Sequence, residues 1–414
     1  MRIVYIHQHF NFPWEPGWQR PWQFARRLVR AGHEVTVICG GSKAEELELE
    51  GVTIRRLAVP YENAMLFRQR VRSFVSFMAR ATLRSSQADA DVVFASSTPL
   101  TTAVPGIIAS KVRRAPFVFE VRDLWPEAPV ALGFVKNPVT IRAARMLEKL
   151  AYRSAEQVIA LSPGMEEGVR RVWPKAKTTV VPNASDVENF AESRGRRRQV
   201  RTELGWGEDD IVLFYAGSFG ITYDVPWLVR LAGELHRREA RFRVVAYGEG
   251  ADTDRTREVA RSYGLEALTV LPGKIPRTEI ERMLPAADFA VSTLVDNPAL
   301  EINSLNKVFD ALAAARPVLF NHAGWLPEML TEAGAGWQLP RDPAEAAEEL
   351  IVRLASGEID AEAGSEAALN LARAEFDRDL LFTRFLAVLE EAAAPKQAPK
   401  NPSGIPAGSR AAAE

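Results

Sequence analysis

Lys307 and Asp310 stand three residues apart in the segment Glu301-Ile-Asn-Ser-Leu-Asn-Lys-Val-Phe-Asp310-Ala-Leu-Ala-Ala-Ala-Arg-Pro-Val318. The segment reads as a polar loop ending in Ser304, an apolar-periodic helix, a stop at Pro317 and a β-rich run 318–320. Ser304 is placed to cap that helix, which puts Lys307 in the first turn and Asp310 one turn later on the same face. A helix N-terminus with a lysine suits a diphosphate, and a carboxylate nearby accepts hydrogen bonds from a diol. Phosphate and diol together describe a nucleotide ribose, so the segment reads as half of a sugar-nucleotide site.

Such a site needs elements to carry it. Strand patterns at 3–7, 34–38, 52–57, 92–95, 117–120, 158–160 and 179–181 alternate with helical stretches, the signature of a parallel, doubly wound sheet. A polar run at 192–199 then marks a boundary, with Arg196 to Arg198 read as a solvated linker rather than a phosphate patch. The pattern restarts with strands at 211–215, 242–247, 268–271 and 289–293 and helices at 226–238, 254–263 and 278–284. The fold class expected is α/β, two Rossmann-like doubly wound domains facing a cleft. The domains are 1–190 for the acceptor and 191–375 for the nucleotide-sugar donor. A C-terminal helix, 376–391, packs back on the first domain, and a tail, 392–414, has the composition of a disordered segment.

Ligands of such sheets bind at the carboxyl ends of strands. In the second half those ends carry Gly217, Ser218 and Gly220, then Gly248, Glu249 and Gly250, then Gly273 and Lys274, then Glu301–Asp310. Each alone is ordinary turn chemistry, but their convergence points to a nucleotide site. In the first half the Gly17 loop opens a helix at 21–30, and Arg122, Asp123 and Glu127 follow the 117–120 strand. A buried structural ion pair of Arg122 with an acid is the alternative reading there.

The 414 residues carry 52 basic and 53 acidic side chains, so nucleic acid is not an expected partner. The single cysteine, Cys39, ends an apolar run, excludes an intrachain disulfide and reads as buried and inert. The first residues, 1–7, lack a signal-peptide core, and no stretch reaches the length of a spanning helix, so a cytoplasmic location is expected. The five histidines form no ligand-spaced cluster beyond the pair His7 and His9, so no metal centre is expected. Residues 66–84, from Leu66 to Arg84, form a helix with five arginines and no acid. Phe67, Val71, Phe74, Val75, Met78 and Thr82 make its core stripe. Leu66 and Phe77 then fall among Arg70, Arg80 and Arg84, a face suited to an anionic membrane surface or simply solvated.

Together these landmarks resemble retaining GT-B glycosyltransferases of family 4, in the bacterial cell-surface polysaccharide branch known as WbuB-like, over roughly residues 1–390. The more specific matches are Glu120-Val-Arg-Asp-Leu-Trp-Pro-Glu127 and Ser304-Leu-Asn-Lys-Val-Phe-Asp310. Gly32–Val37, Leu161–Gly164, Val181-Pro-Asn183, Tyr215-Ala-Gly217 and Asn321–Trp325 match more generally. The resemblance implies a nucleoside-diphosphate sugar, UDP-linked, held by the second domain, an acceptor held by the first, and neither cofactor nor metal. On this reading Lys307 and the backbone N–H groups of Leu305 and Asn306 are expected to meet the diphosphate, and Asp310 the ribose hydroxyls. Gly248–Gly250 with Gly273 and Lys274 are expected to border the base, Gly17 to let the first domain approach the donor, and Asp123, with Arg122 beside it, to orient the acceptor or the donor sugar. The resemblance further implies transfer with retention to a glycan or polyprenyl-linked acceptor. Two departures stand out. Many members carry two glutamates separated by seven residues, whereas here Asp310 takes the second place, Ile302 the first, and Glu301 lies one further away. Many also carry Arg and Lys after the first strand of the second domain, where this chain has Ser218-Phe-Gly-Ile-Thr-Tyr-Asp224. Leaving-group charge then falls to Lys307, the helix dipole, and Lys274 or Arg122. Competing readings are a nucleotide-sugar epimerase and a non-catalytic nucleotide-sugar or glycan binder.

Overall fold

The computed structural model describes residues 1–15, 20–61, 65, 67–184, 186–265 and 273–395. Gly17, Leu66, the expected strand 268–271 and the tail from 396 on lie outside these. The first sheet comprises β1 (Arg2–Ile6), β2 (Glu34–Gly41), β3 (Glu45–Leu49), β4 (Val52–Ala58), β5 (Val92–Ser96), β6 (Phe117–Val121), β7 (Gln157–Ala160) and β8 (Thr178–Val180), in the order β3-β4-β2-β1-β5-β6-β7-β8. All neighbours pair in parallel except β3 with β4. Strands such as Val92–Ser96 are buried along their whole length because helices cover both faces.

Strand β3 was not expected from the sequence. Its Glu-Glu-Leu-Glu-Leu alternation forms a hairpin with β4 through Glu50 and Gly51, both at positive φ. The two leucines pack inward, while Glu45 and Glu46 reach Arg56 and Arg55 of the partner strand.

The second sheet comprises β9 (Ile211–Ala216), β10 (Phe242–Tyr247), β11 (Phe289–Ser292), β12 (Val318–Phe320) and β13 (Gly336–Gln338). It is wholly parallel in the order β10-β9-β11-β12-β13. In both sheets the order reverses beside the first strand, between β1 and β5 and between β9 and β11. The crevice at such a switch point is where these sheets bind ligands.

The two halves share one apolar core. Val181, Ala184, Val187 and Phe190 of the connecting segment are buried between them. The last helix, Arg378–Ala393, lies on the first sheet, with Phe385 at 4.7 Å from Phe24 and 5.1 Å from Phe94 between ring centres. Helical structure thus continues through residues 392 and 393, expected as tail. Asp186 of the connection pairs with Arg27 and Arg378 together, at 2.9 and 2.8 Å, fastening the connection to the first and last helices.

The basic helix runs Phe67–Gln87, but its faces differ from the expected ones. Phe77 is fully buried, whereas Val75 is 50% exposed and Val71 is also exposed. The buried face is Ser73, Phe77, Ala81 and Ser85, every fourth residue. Ser73 decides the rotation. It accepts from Gln8 Nε2 at 3.2 Å and donates to the Pro60 carbonyl at 3.1 Å, and these bonds turn a polar residue inward. Sequence periodicity counts apolar residues and cannot see such a partner.

Candidate active site

The helix that carries Lys307 is Asn306–Ala313. Its N-cap is Leu305, not Ser304, and no side chain caps it. Ser304 is engaged elsewhere: its hydroxyl accepts from the Asn183 amide at 3.2 Å and its carbonyl from Asn183 Nδ2 at 3.0 Å. The residue expected to close the helix therefore ties it to the segment connecting the halves. The first-turn amides are left without a side-chain cap, as an anion site requires.

Lys307 Nζ donates to Tyr215 Oη at 2.8 Å and lies 4.0 Å from the centre of the Tyr215 ring and 4.3 Å from that of Tyr223. Tyr215 in turn donates to the Ser218 carbonyl at 2.9 Å. A Cβ at Gly217 would stand 3.3 Å from Lys307 Cε, so this glycine makes room for the lysine. Among the described residues no carboxylate comes within 4.0 Å of Nζ, and burial pushes the lysine down to about 7. Beside it, His322 bonds Ser292 Oγ at 3.0 Å through Nε2. Burial, joined by the Lys307 charge, pushes His322 down to about 4, so its imidazole is neutral.

The remaining second-domain positions divide. Gly248 and Gly250 are glycines for a packing reason: a Cβ would collide with Gly217 O at the first and Phe219 O at the second. Backbone bonds from Gly217 N to Tyr247 O at 3.0 Å and from Phe219 N to Glu249 O at 3.0 Å zip the two loops together. Their role is to hold the Gly217–Gly220 turn. Glu249 and Lys274 sit 4.0 Å apart on the exposed rim. Glu301 is exposed, and its backbone lies against Gly324, whose φ of +120° and crowded Cβ position admit no side chain. Asp310 is buried and both of its oxygens are taken by Arg277, which also bonds Glu281 at 3.0 Å. A ribose held by Asp310, as the sequence led us to expect, would share that carboxylate with Arg277.

The first domain supplies the facing wall. Asp123 accepts from Thr98 Oγ1 at 2.7 Å. Burial raises its carboxyl above the usual range, while the Thr98 bond and the Arg122 charge pull the other way. The Asp123 charge reaches the Tyr223 phenol of the second domain and helps burial raise it. Arg122 is held through its backbone N–H to Ser97 Oγ at 3.0 Å. Its guanidinium has no carboxylate within 4.0 Å among the described residues. It helps burial depress His7 and His9, His9 to about 4. The buried ion pair of this wall is instead Arg20 with Glu120 at 2.8 Å, and Ser96 Oγ donates to the same carboxylate at 2.6 Å. Arg122 thus makes no close ion pair among the described residues, but its charge acts on the carboxyls of Asp123 and Glu120. Glu127 is exposed, 3.6 Å from Arg171.

The domains meet closely around this space. A Cβ on Gly164 of the first would collide with Ile302 of the second. Reasoning from sequence missed Tyr223, Thr98 and Arg277, which belong to no phosphate or diol pattern. Tyr215 was visible only as the residue before the Gly217 turn. Cys39 is buried, its thiol pushed up to about 12.

With this geometry in view, two domain models match the chain. Residues 17–184 match a glycosyl transferase 4-like domain, and residues 196–370 match glycosyl transferases group 1. Among curated proteins, the alpha-maltose-1-phosphate synthase of Mycolicibacterium smegmatis is 25% identical over 57% of this chain and 61% of its own length. The amylovoran biosynthesis glycosyltransferase AmsK of Erwinia amylovora is 25% identical over 37% of each chain. The matched stretch therefore spans less than two thirds of either relative. Among solved structures, sucrose-phosphate synthase from Thermosynechococcus elongatus superposes with a TM-score of 0.74 at 17% identity, over 94% of this chain and 98% of its own. Anabaena HepE in complex with UDP-glucose gives 0.69 at 17% identity, over 94% and 100%. These likenesses establish the GT-B fold.

Proposed function

The chain belongs to the glycosyl transferase families of GT-B fold, its first half 4-like and its second half group 1, and on that premise we propose that it transfers a sugar from a nucleoside-diphosphate sugar, a UDP-sugar. The acceptor is a glycan or polyprenyl-linked sugar in cell-surface polysaccharide synthesis, at the cytoplasmic side of a membrane, and the anomeric configuration is retained. One observation carries the reading. The Lys307 side chain has no carboxylate partner among the described residues, lies at an uncapped helix start above Gly217, and packs on the ring of Tyr223, whose phenol the Asp123 charge of the first domain reaches. The UDP-glucose complex of the HepE structure supports the choice of donor class.

Cleaving a glycosyl–phosphate bond builds oxocarbenium character on the sugar and negative charge on the diphosphate. Donors fixed in advance at that charge supply the largest catalytic effect in such sites. Lys307 and the first-turn amides of Asn306–Ala313 meet the diphosphate, and Arg122 approaches it from the other wall. Asp310, steadied by Arg277, takes the ribose hydroxyls at the cost of one shared bond. Asp123, fixed by Thr98, orients the acceptor hydroxyl on the face the leaving group vacates, and a donor phosphate oxygen takes its proton. The proposed route is front-face attack, without a glycosyl-enzyme intermediate. The reaction is proposed without a metal; among the described residues no three His, Cys, Asp or Glu side chains group as ligands.

Mass spectrometry of UDP- and GDP-sugars incubated with polyprenyl-linked acceptors tests this. A heavier acceptor supports transfer. An isomerised donor supports epimerisation instead, and binding with neither product supports a non-catalytic binder.

A further inference from the structure

We propose that three neighbouring helices of the first domain form one docking face for an anionic lipid bilayer. The helices Phe67–Gln87, Ala103–Arg113 and Pro138–Ser154 pack side by side over one face of the first sheet, sharing a buried cluster through Phe77, Ile107 and Tyr152. Of the twelve large apolar side chains exposed among the described residues, eight lie on these helices. Scattered single apolar residues are ordinary on a protein surface, but this concentration is not.

On the first helix Val71, Val75 and Leu83 are exposed, Leu83 at 61%, beside exposed Arg68, Arg72 and Arg84. On the second, Ile108 and Val112 stand with Lys111, and Arg114 follows at its end. On the third, Val139, Met146 and Leu150 recur at helical spacing, Val139 75% and Met146 68% exposed, among Arg142, Arg145 and Lys149. Phe134 extends the face into the loop that leads from Asp123 to this helix.

Acids are kept off the surface. The first two helices contain none, and Glu148 of the third points inward to Tyr152 at 3.2 Å. Asp89 and Glu127 at the margins are paired with arginines. Among the described residues none of the cations named has a carboxylate within 4.0 Å.

Charge complementarity chooses the occupant. A second copy of this face would oppose cation to cation. An acidic polymer would use the cations and leave the apolar side chains in water. An anionic bilayer uses both, taking the apolar groups below the headgroups and the cations at them. Docking there would bring the Asp123 wall to the membrane, where a lipid-linked acceptor resides. The inference does not depend on the transfer reaction, because binding is read without donor or acceptor.

The test is flotation of the full chain with phosphatidylcholine vesicles, with and without phosphatidylglycerol, at low and high salt. Expected is binding that requires phosphatidylglycerol and is lost at high salt. Arg142→Glu with Lys149→Glu should weaken it more than about twentyfold, from roughly fivefold per cation removed. Arg72→Glu with Arg84→Glu should do the same, and Met146→Ser with Leu150→Ser should weaken it at unchanged charge. UDP affinity, unchanged in each variant, reports an intact fold. No binding to phosphatidylglycerol vesicles overturns the proposal. So does binding insensitive to the third-helix reversals, which reduces the face to a single helix. Capture by a soluble polyanion but not by vesicles overturns the lipid assignment.

Discussion

Lys307 is held in an aromatic cleft, its Nζ 4.0 Å from the Tyr215 ring centre and bonded to that residue's hydroxyl. The ring faces offer the cation partial compensation without neutralising it. A diphosphate entering the site would meet a donor whose compensation was incomplete beforehand.

Proton linkage follows from that arrangement. The free protein holds Lys307 at about 7, and a bound diphosphate raises it. Above that pH, UDP binding should take up a proton, and affinity should fall as pH rises. Well below it, uptake should vanish. Calorimetry in buffers of different ionisation enthalpy measures the proton count, and Lys307→Ala should abolish the uptake. The same variant should lower transfer on the order of 10²–10³-fold. The unfolded chain binds the proton more tightly, so this group's cost to folding is relieved as pH rises from about 7 towards about 10.4.

Asp123 and Thr98 give a pH profile. The Thr98 hydroxyl lowers a carboxyl that burial raises, so Thr98→Val should move the acid limb of the rate profile to higher pH. Asp123→Asn should abolish most transfer while leaving UDP affinity within about twofold, since no donor contact is lost. Wild-type turnover in Asp123→Asn excludes Asp123 from the reaction.

Arg277 and Asp310 separate binding from stability. Asp310→Asn keeps the shape and weakens the bidentate pair, and UDP affinity should drop about tenfold if the ribose uses this carboxylate. Arg277→Gln leaves a buried carboxylate uncompensated. Because Arg277 is itself one-third exposed, the cost should be about 1–3 kcal/mol rather than that of a fully buried pair. Chemical denaturation measures it. An unchanged UDP affinity in Asp310→Asn moves the ribose elsewhere.

Gly248→Ala tests whether the loop glycines serve packing. The added methyl meets the Gly217 carbonyl, which cannot swing aside as a side chain can. Loss of about 1–3 kcal/mol or more is expected, together with weaker UDP binding as the Gly217 turn shifts away from Lys307. A variant as stable as the parent refutes this account.

Much of the fold was legible because buried parallel strands and amphipathic helices leave periodic signals, as at 92–95 and 226–238. The hairpin of β3 was not, since alternating Glu and Leu look solvated until Arg55 and Arg56 of the partner strand are in place. The site was legible where chemistry follows chain order, as in Asn306-Lys307-Val308-Phe309-Asp310. It was not where partners come from afar. Thr98 reaches Asp123 from another strand end, and Arg277 reaches Asp310 across 33 positions.

The sequence by itself determined that two doubly wound halves would carry a lysine at a helix start and a carboxylate–arginine pair at strand ends. Those features follow from local periodicity and from turn chemistry between neighbours in the chain. Tertiary structure alone decided which charges were already neutralised: Glu120 by Arg20, Asp310 by Arg277, and Lys307 by no acid among the described residues. It also decided which face of the Phe67–Gln87 helix met the core. Pairing energy and burial depend on distances between residues far apart in sequence, and a linear pattern carries no record of them.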